Sequence, residues 1–223
     1  MMQGIKGVIF DLDGTLIDSC QDMSTAINRM RADFNLAPLP HATIITFIGN
    51  GVRNLVRCAL NGADIDLDQA LDRYQWHYAR CLTDTTRCYP GVMELLSALR
   101  DAGLRCAIVT NKPEGDTRTI LQALELVQFF DIVIGGDSTP YLKPDPHAFL
   151  CVASRWGLTP DSIVVVGDYD TDIDGARNAG MHSIFVRGGI GTVGNAQPDL
   201  SIATIDALAS VLLPARDRAM SKT

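Results

Sequence analysis

The 223-residue sequence predicts an α/β fold, a doubly wound parallel sheet with a small α-helical cap domain inserted after its first strand. Three observations carry that expectation. From residue 89 onward, short apolar runs alternate with segments of helical spacing. The ends of these runs carry polar or glycine-containing turns, where a parallel sheet places its chemistry. Between the first apolar run and the alternating part lies a stretch of roughly seventy residues that is helical in pattern throughout. The expected division is a core of residues 1–16 and 88–223 and a cap of residues 17–87.

Residues 5–10 open the sheet, because Val8, Ile9 and Phe10 are apolar without alternation, as a strand buried on both faces requires. In the cap, Met23, Ile27, Met30 and Phe34 share one helical face. Val52, Leu55, Val56, Ala59 and Leu60 form a second such face, and Leu67, Leu71, Tyr74 and Tyr78 a third. Pro38, Pro40, Gly49, Gly51 and Gly62 punctuate these helices. After Tyr89-Pro90-Gly91 the pattern predicts helices over 91–102, 115–124, 146–156 and 171–179. It predicts strands over 105–109, 131–134, 163–166 and 183–186. Gly103 is placed to cap the first of these helices. Residues 216–223 are polar and are expected to fray.

Composition narrows the function. With 47% hydrophobic and 20% charged residues the chain is ordinary globular material. A formal net charge of −7 removes the basic footprint that nucleic acid or an anionic membrane surface would attract. No apolar run is long enough to span a bilayer, and the N-terminus does not have the pattern of a signal peptide. The six cysteines show neither a C-x-x-C pair nor zinc spacing, so a reducing, cytoplasmic location is expected.

The chemistry gathers at the strand ends. Asp11 and Asp13 stand two apart after the first strand, so both carboxylates can face one crevice, although an Asx turn closing the strand uses the same residues. Gly14 permits a sharp turn or a close approach, and Thr15 adds a hydroxyl. Thr110 and Asn111 follow the second strand, where they either cap the next helix or donate to phosphoryl oxygens. Lys143, in the loop after the third strand, is either a solvated charge or a source of positive charge for a phosphoryl group. Asp168 follows the fourth strand and shares a helix face with Asp172. Asp170 and Asp174 make a second such pair, which reads equally well as N-capping. Clustered carboxylates repel unless a hard cation binds them, and oxygen-only ligands suit Mg²⁺.

Asp11-Leu12-Asp13-Gly14-Thr15, Thr110-Asn111, Lys143-Pro144 and Gly167-Asp168-Tyr169-Asp170-Thr171-Asp172 resemble, in order, the four motifs of the haloacid dehalogenase (HAD) superfamily. The helical insertion resembles the cap of those enzymes. The resemblance implies a HAD-like Rossmannoid core and hydrolysis of a small-molecule phosphate ester. In it, Asp11 is the nucleophile that forms an aspartyl-phosphate, and Asp13 is first general acid and then general base. Thr110 and Asn111 hold the phosphoryl group and Lys143 neutralises it. Mg²⁺ is ligated by Asp11, the Asp13 carbonyl, Asp168 and Asp172, the last directly or through water. Within the superfamily the chain is most similar to bacterial phosphoglycolate phosphatases, which implies 2-phosphoglycolate as substrate. A sugar phosphate, a nucleotide or pyrophosphate stands as the alternative. A phosphomutase or a non-catalytic phosphate-sensing module lies further off, and a metal-free dehalogenase disagrees with Asp13, Gly14 and Asp168. Gly49, Asn50 and Gly51 resemble the loop that such enzymes lay over the substrate; Arg53 either reaches the substrate carboxylate or, as helix arginines more often do, stays solvated. Tyr169 departs from the small Ser usual there, which bears on access to the site. A monomer or homodimer is expected.

Overall fold

The computed structural model describes residue 2 and residues 4–213. The expectation for residues 216–223 therefore lies outside the described residues. Six parallel strands form one sheet: β1 (Gly7–Phe10), β4 (Arg105–Val109), β5 (Ile132–Ile134), β6 (Ile163–Gly167), β7 (His182–Val186) and β8 (Leu200–Ile202), in the order β5-β4-β1-β6-β7-β8. The first strand is thus central, and the chain builds outward from it first on one side and then on the other.

Alternate residues of each strand feed two cores, as the two-residue period of a strand dictates. Val8, Phe10, Cys106, Ile108, Val164 and Val166 point to one face. There they meet Leu95, Leu96 and Leu99 of α5 (Val92–Asp101), Ile120 and Leu121 of α6 (Glu114–Ala123) and Leu208 of α9 (Leu208–Leu212). Ile9, Ala107, Val109, Ile163 and Val165 point the other way. They pack on Phe149, Val152 and Trp156 of α7 (His147–Trp156) and on Ala176 of α8 (Asp170–Asn178).

Between β1 and β4 the chain makes α1 (Cys20–Asp33), α2 (His41–Ile45), α3 (Val52–Leu60) and α4 (Leu67–Tyr78). Met23, Ile27 and Met30 of α1, Ile44 of α2, Val56 and Ala59 of α3 and Tyr74 of α4 are buried against one another. A short antiparallel pair, β2 (Ile17–Asp18) with β3 (Arg87–Cys88), closes the entry and exit of this stretch. Asp22 of α1 reinforces the closure. Its buried carboxylate accepts from the backbone N–H and the hydroxyl of both Thr85 and Thr86, at 2.6–3.0 Å.

The predicted strands and helices of the alternating part are present, with ends moved by a residue or two. The sequence reading missed β2, β3, α2, β8 and α9. All five are two to five residues long, too short for an apolar period to register.

Candidate active site

Register sets the site. Phe10 lies level with Ile108 on one side and Val166 on the other. Asp11 therefore leaves the sheet between the ends of β4 and β6, its N–H still bonded to the Val166 carbonyl at 2.9 Å. Thr110 and Asp168 follow on the flanking strands. This is the topological switch point, where an open parallel sheet leaves a crevice.

Asp11, Asp168 and Asp172 are all buried and each offers a carboxylate oxygen within 4.8 Å of the others. Two glycines permit that crowding. A Cβ at Gly14, whose φ is +87°, would stand 2.2 Å from Asp168 Oδ2, and one at Gly167 would stand 2.2 Å from the Asp172 carboxyl. Asp168 is fixed by the Thr15 hydroxyl at 2.9 Å and by the N–H groups of Ile190 and Gly191 at 2.8 Å. Asp172 accepts from the Tyr169 N–H at the start of α8.

Lys143 answers this negative charge. Its ammonium donates to Asp11 Oδ1 at 2.6 Å, to Asp172 Oδ1 at 2.6 Å and to the Val109 carbonyl at 3.0 Å, which uses all three protons. The side chain is 3% exposed and precedes a cis peptide bond to Pro144. Burial disfavours the ammonium, but Asp11 and Asp172 outweigh it and raise its pKa. Burial, then the charges of Asp11 and Asp172, push Asp168 up to about 7. Burial also raises Asp172, against the pull of Lys143. Compressed, buried carboxylates that resist ionisation together are suited to a hard divalent cation, because their oxygens gain a counter-charge without moving.

Asp13 has separate partners. Lys112 donates to both of its oxygens, at 2.9 and 3.0 Å, and Ser19 donates a further short hydrogen bond. Thr110 is buried, and its hydroxyl oxygen accepts from the Lys112 N–H at 3.2 Å. Asn111 is engaged within the protein. Its Nδ2 donates to the carbonyls of Gly49 and Lys143, and its Oδ1 accepts from the Lys143 N–H. That differs from the expected donation to a phosphoryl oxygen.

One cavity joins these groups. Asp11, Asp13, Thr110, Lys143 and Asp172 line its floor, while Gly49, Gly51, Met23, Ile48, Val52 and Leu55 of the helical stretch cover it. Asn50 and Arg53 do not line it. Arg53 follows the solvated of its two readings. On the exposed side of α3 it pairs with Asp68 at 2.5 Å, because the apolar residues of that helix occupy the inward face. Asp174 likewise faces outward, paired with Arg177. Lys112, Tyr74, Tyr78 and Asp116 line the cavity and were not anticipated. For Lys112 the available signal was its place directly after Thr110 and Asn111. For the tyrosines there was none, since helical spacing marks them as core.

An α/β fold with acids, lysines and a hydroxyl gathered in a cavity at its switch point has the form of a small-ligand site. The haloacid dehalogenase-like hydrolase family matches residues 8–186, and the chain belongs to that family. It is 44% identical over 185 residues to the phosphoglycolate phosphatase of Nitrosospira multiformis, covering 80% of this chain and 81% of the relative. A plasmid-borne phosphoglycolate phosphatase of Cupriavidus necator is 37% identical over 216 residues, 94% of each chain. The crystal structure of a predicted phosphoglycolate phosphatase from Haemophilus somnus superposes with a TM-score of 0.88 at 30% identity, over 95% of this chain and 99% of that one. No helix among the described residues is long and apolar enough to cross a membrane.

Proposed function

We propose that this hydrolase is a Mg²⁺-dependent phosphatase that cleaves 2-phosphoglycolate to glycolate and phosphate through an aspartyl-phosphate on Asp11. The observation that carries the reading is the Lys143 ammonium held 2.6 Å from both Asp11 and Asp172, beside a third buried carboxylate, Asp168. The names of the relatives support phosphate-ester chemistry and the particular ester.

In this reading a carboxylate oxygen of Asp11 attacks phosphorus, and the bond from phosphorus to the glycolate oxygen breaks. Asp13 supplies the proton that the departing alkoxide needs. Asp13 then takes a proton from water as the water attacks the aspartyl-phosphate, which returns Asp11 and frees phosphate. Thr110 has its hydroxyl proton to offer to a phosphoryl oxygen, and Lys143 balances charge on the transferring group. Asp11, Asp168 and Asp172, with the Asp13 carbonyl, would hold Mg²⁺, which supplies charge stabilisation to the phosphoryl oxygens. The apolar covering residues keep bulk water from the intermediate.

The test is phosphate release from a panel of phosphate monoesters, with Mg²⁺ and with a chelator, by wild type and Asp11→Asn. Mg²⁺-dependent preference for 2-phosphoglycolate, lowered by about 10⁴-fold or more in Asp11→Asn, is the expected result. Comparable weak release from many esters removes the phosphoglycolate assignment.

A further inference from the structure

Resting on that reading, we infer that Lys112 and Tyr78 form the subsite for the substrate's carboxylate, and so set the preference for acidic phosphate esters. A small phosphorylated acid brings two anionic groups into one cavity. Among the described residues only two cationic side chains line that cavity, Lys112 and Lys143. Lys143 is committed, its three protons bonded to Asp11, Asp172 and a carbonyl at the phosphoryl end. Lys112 holds the two oxygens of Asp13 and otherwise faces only the weak acceptor Met23 Sδ at 3.9 Å, so it has a proton to turn to the second anion. Its side chain is 4% exposed, so water screens the charge little and Asp13 is the carboxylate that shares it.

Tyr78 supplies an independent observation. It lines the same cavity, is 2% exposed, and its hydroxyl has no hydrogen-bond partner among the described residues. A buried hydroxyl without a partner costs free energy, and a ligand oxygen would satisfy it. The Lys112 ammonium lies 5.0 Å from the centre of the Tyr78 ring, so the two side chains are neighbours in the cavity wall. Lys112 also contacts both oxygens of Asp13, two residues from Asp11, which puts the second anion beside the reacting phosphoryl group, as a short acid requires. Arg53, the cation that sequence alone suggested for this task, faces solvent on the other side of its helix.

The experiment compares 2-phosphoglycolate with 2-hydroxyethyl phosphate, which replaces the carboxylate by a neutral hydroxymethyl group. The readout is the ratio of the two kcat/KM values within each protein, which cancels any change in the fraction of active enzyme. Tyr78→Phe removes a hydroxyl that bonds nothing described, so its melting temperature is expected to match wild type while the ratio falls about tenfold. Lys112→Met is expected to lower the ratio by roughly 100-fold, and Lys112→Arg to restore most of it. Where Lys112→Met does not fold, Lys112→Gln, which keeps a hydrogen bond to Asp13, takes its place. A ratio unchanged in either Tyr78→Phe or the Lys112 variant overturns the subsite. So does equal loss on both esters, which would mean that Lys112 serves only Asp13. Wild type that releases phosphate from neither ester overturns the phosphatase reading itself, and the subsite with it.

Discussion

The side-chain amide of Asn111, at the end of β4, donates to the carbonyl of Gly49, in the loop that begins α3 and covers the cavity. The same side chain holds both backbone groups of Lys143. One residue thus ties the covering loop to the loop that carries the site's central cation.

Asn111→Ala frees both loops at once. Its three hydrogen bonds are buried or half-buried, so stability is expected to fall by about 1–3 kcal/mol, measured by urea unfolding. Phosphate release is expected to drop at least about tenfold, because a Lys143 displaced by a fraction of an ångström no longer bridges Asp11 and Asp172. Lost stability with unchanged turnover would show that Asn111 does not position Lys143.

Lys143→Met leaves Asp11 and Asp172 buried without their shared counter-charge. Removing one partner of a buried ion pair costs about 3–5 kcal/mol, and urea unfolding without divalent cation is expected to register a loss of that order. Added Mg²⁺ is expected to restore part of it. A variant as stable as wild type would mean that the carboxylates take up protons instead.

The raised pKa of Asp168 has a defined sign in stability. Between the ordinary carboxylate value near 4 and about 7, the folded protein binds more protons at this group than the unfolded chain does. Chelated protein is therefore expected to melt at a lower temperature as pH rises across that window. Because a cation replaces the protons, the rise in melting temperature on adding Mg²⁺ is expected to grow from pH 5 to pH 7.5. A Mg²⁺ effect independent of pH counts against the acidic cluster as the binding site.

Asp22 acts in the opposite direction. Burial opposes its charge, but the hydrogen bonds of Thr85 and Thr86 win and hold its carboxyl below the usual range. The stabilisation is complete above the unfolded value near 4 and is lost as pH falls through the lower, folded value. Asp22→Ala is expected to cost about 3 kcal/mol or more at pH 7, since it strands buried donors, and less than that at pH 3. Thermal unfolding at both pH values checks it. A gap between wild type and variant that does not narrow in acid would refute the linkage.

The sequence by itself determined the parallel sheet, the helical insertion and the identity of the acids at the strand ends. It did so because those features are local: Val8, Ile9 and Phe10 announce a buried strand, and Asp11 and Asp13 follow within three residues. Asp168 was legible as a strand-end residue for the same reason, Asp172 as its neighbour on a helix face and Lys143 as a charge in the loop after a strand. Only the tertiary structure decided which charges meet. Lys143 reaches Asp11 across 132 positions of sequence, and Lys112 reaches Asp13 across 99. It also decided which side of a helix faces the cavity. Tyr78 reads as core by spacing yet lines the site, while Arg53, open in sequence between substrate and solvent, pairs with Asp68 in solvent. Apolar period fixes where a helix lies along the chain, but the rotation that turns one side chain inward is set by what packs against it.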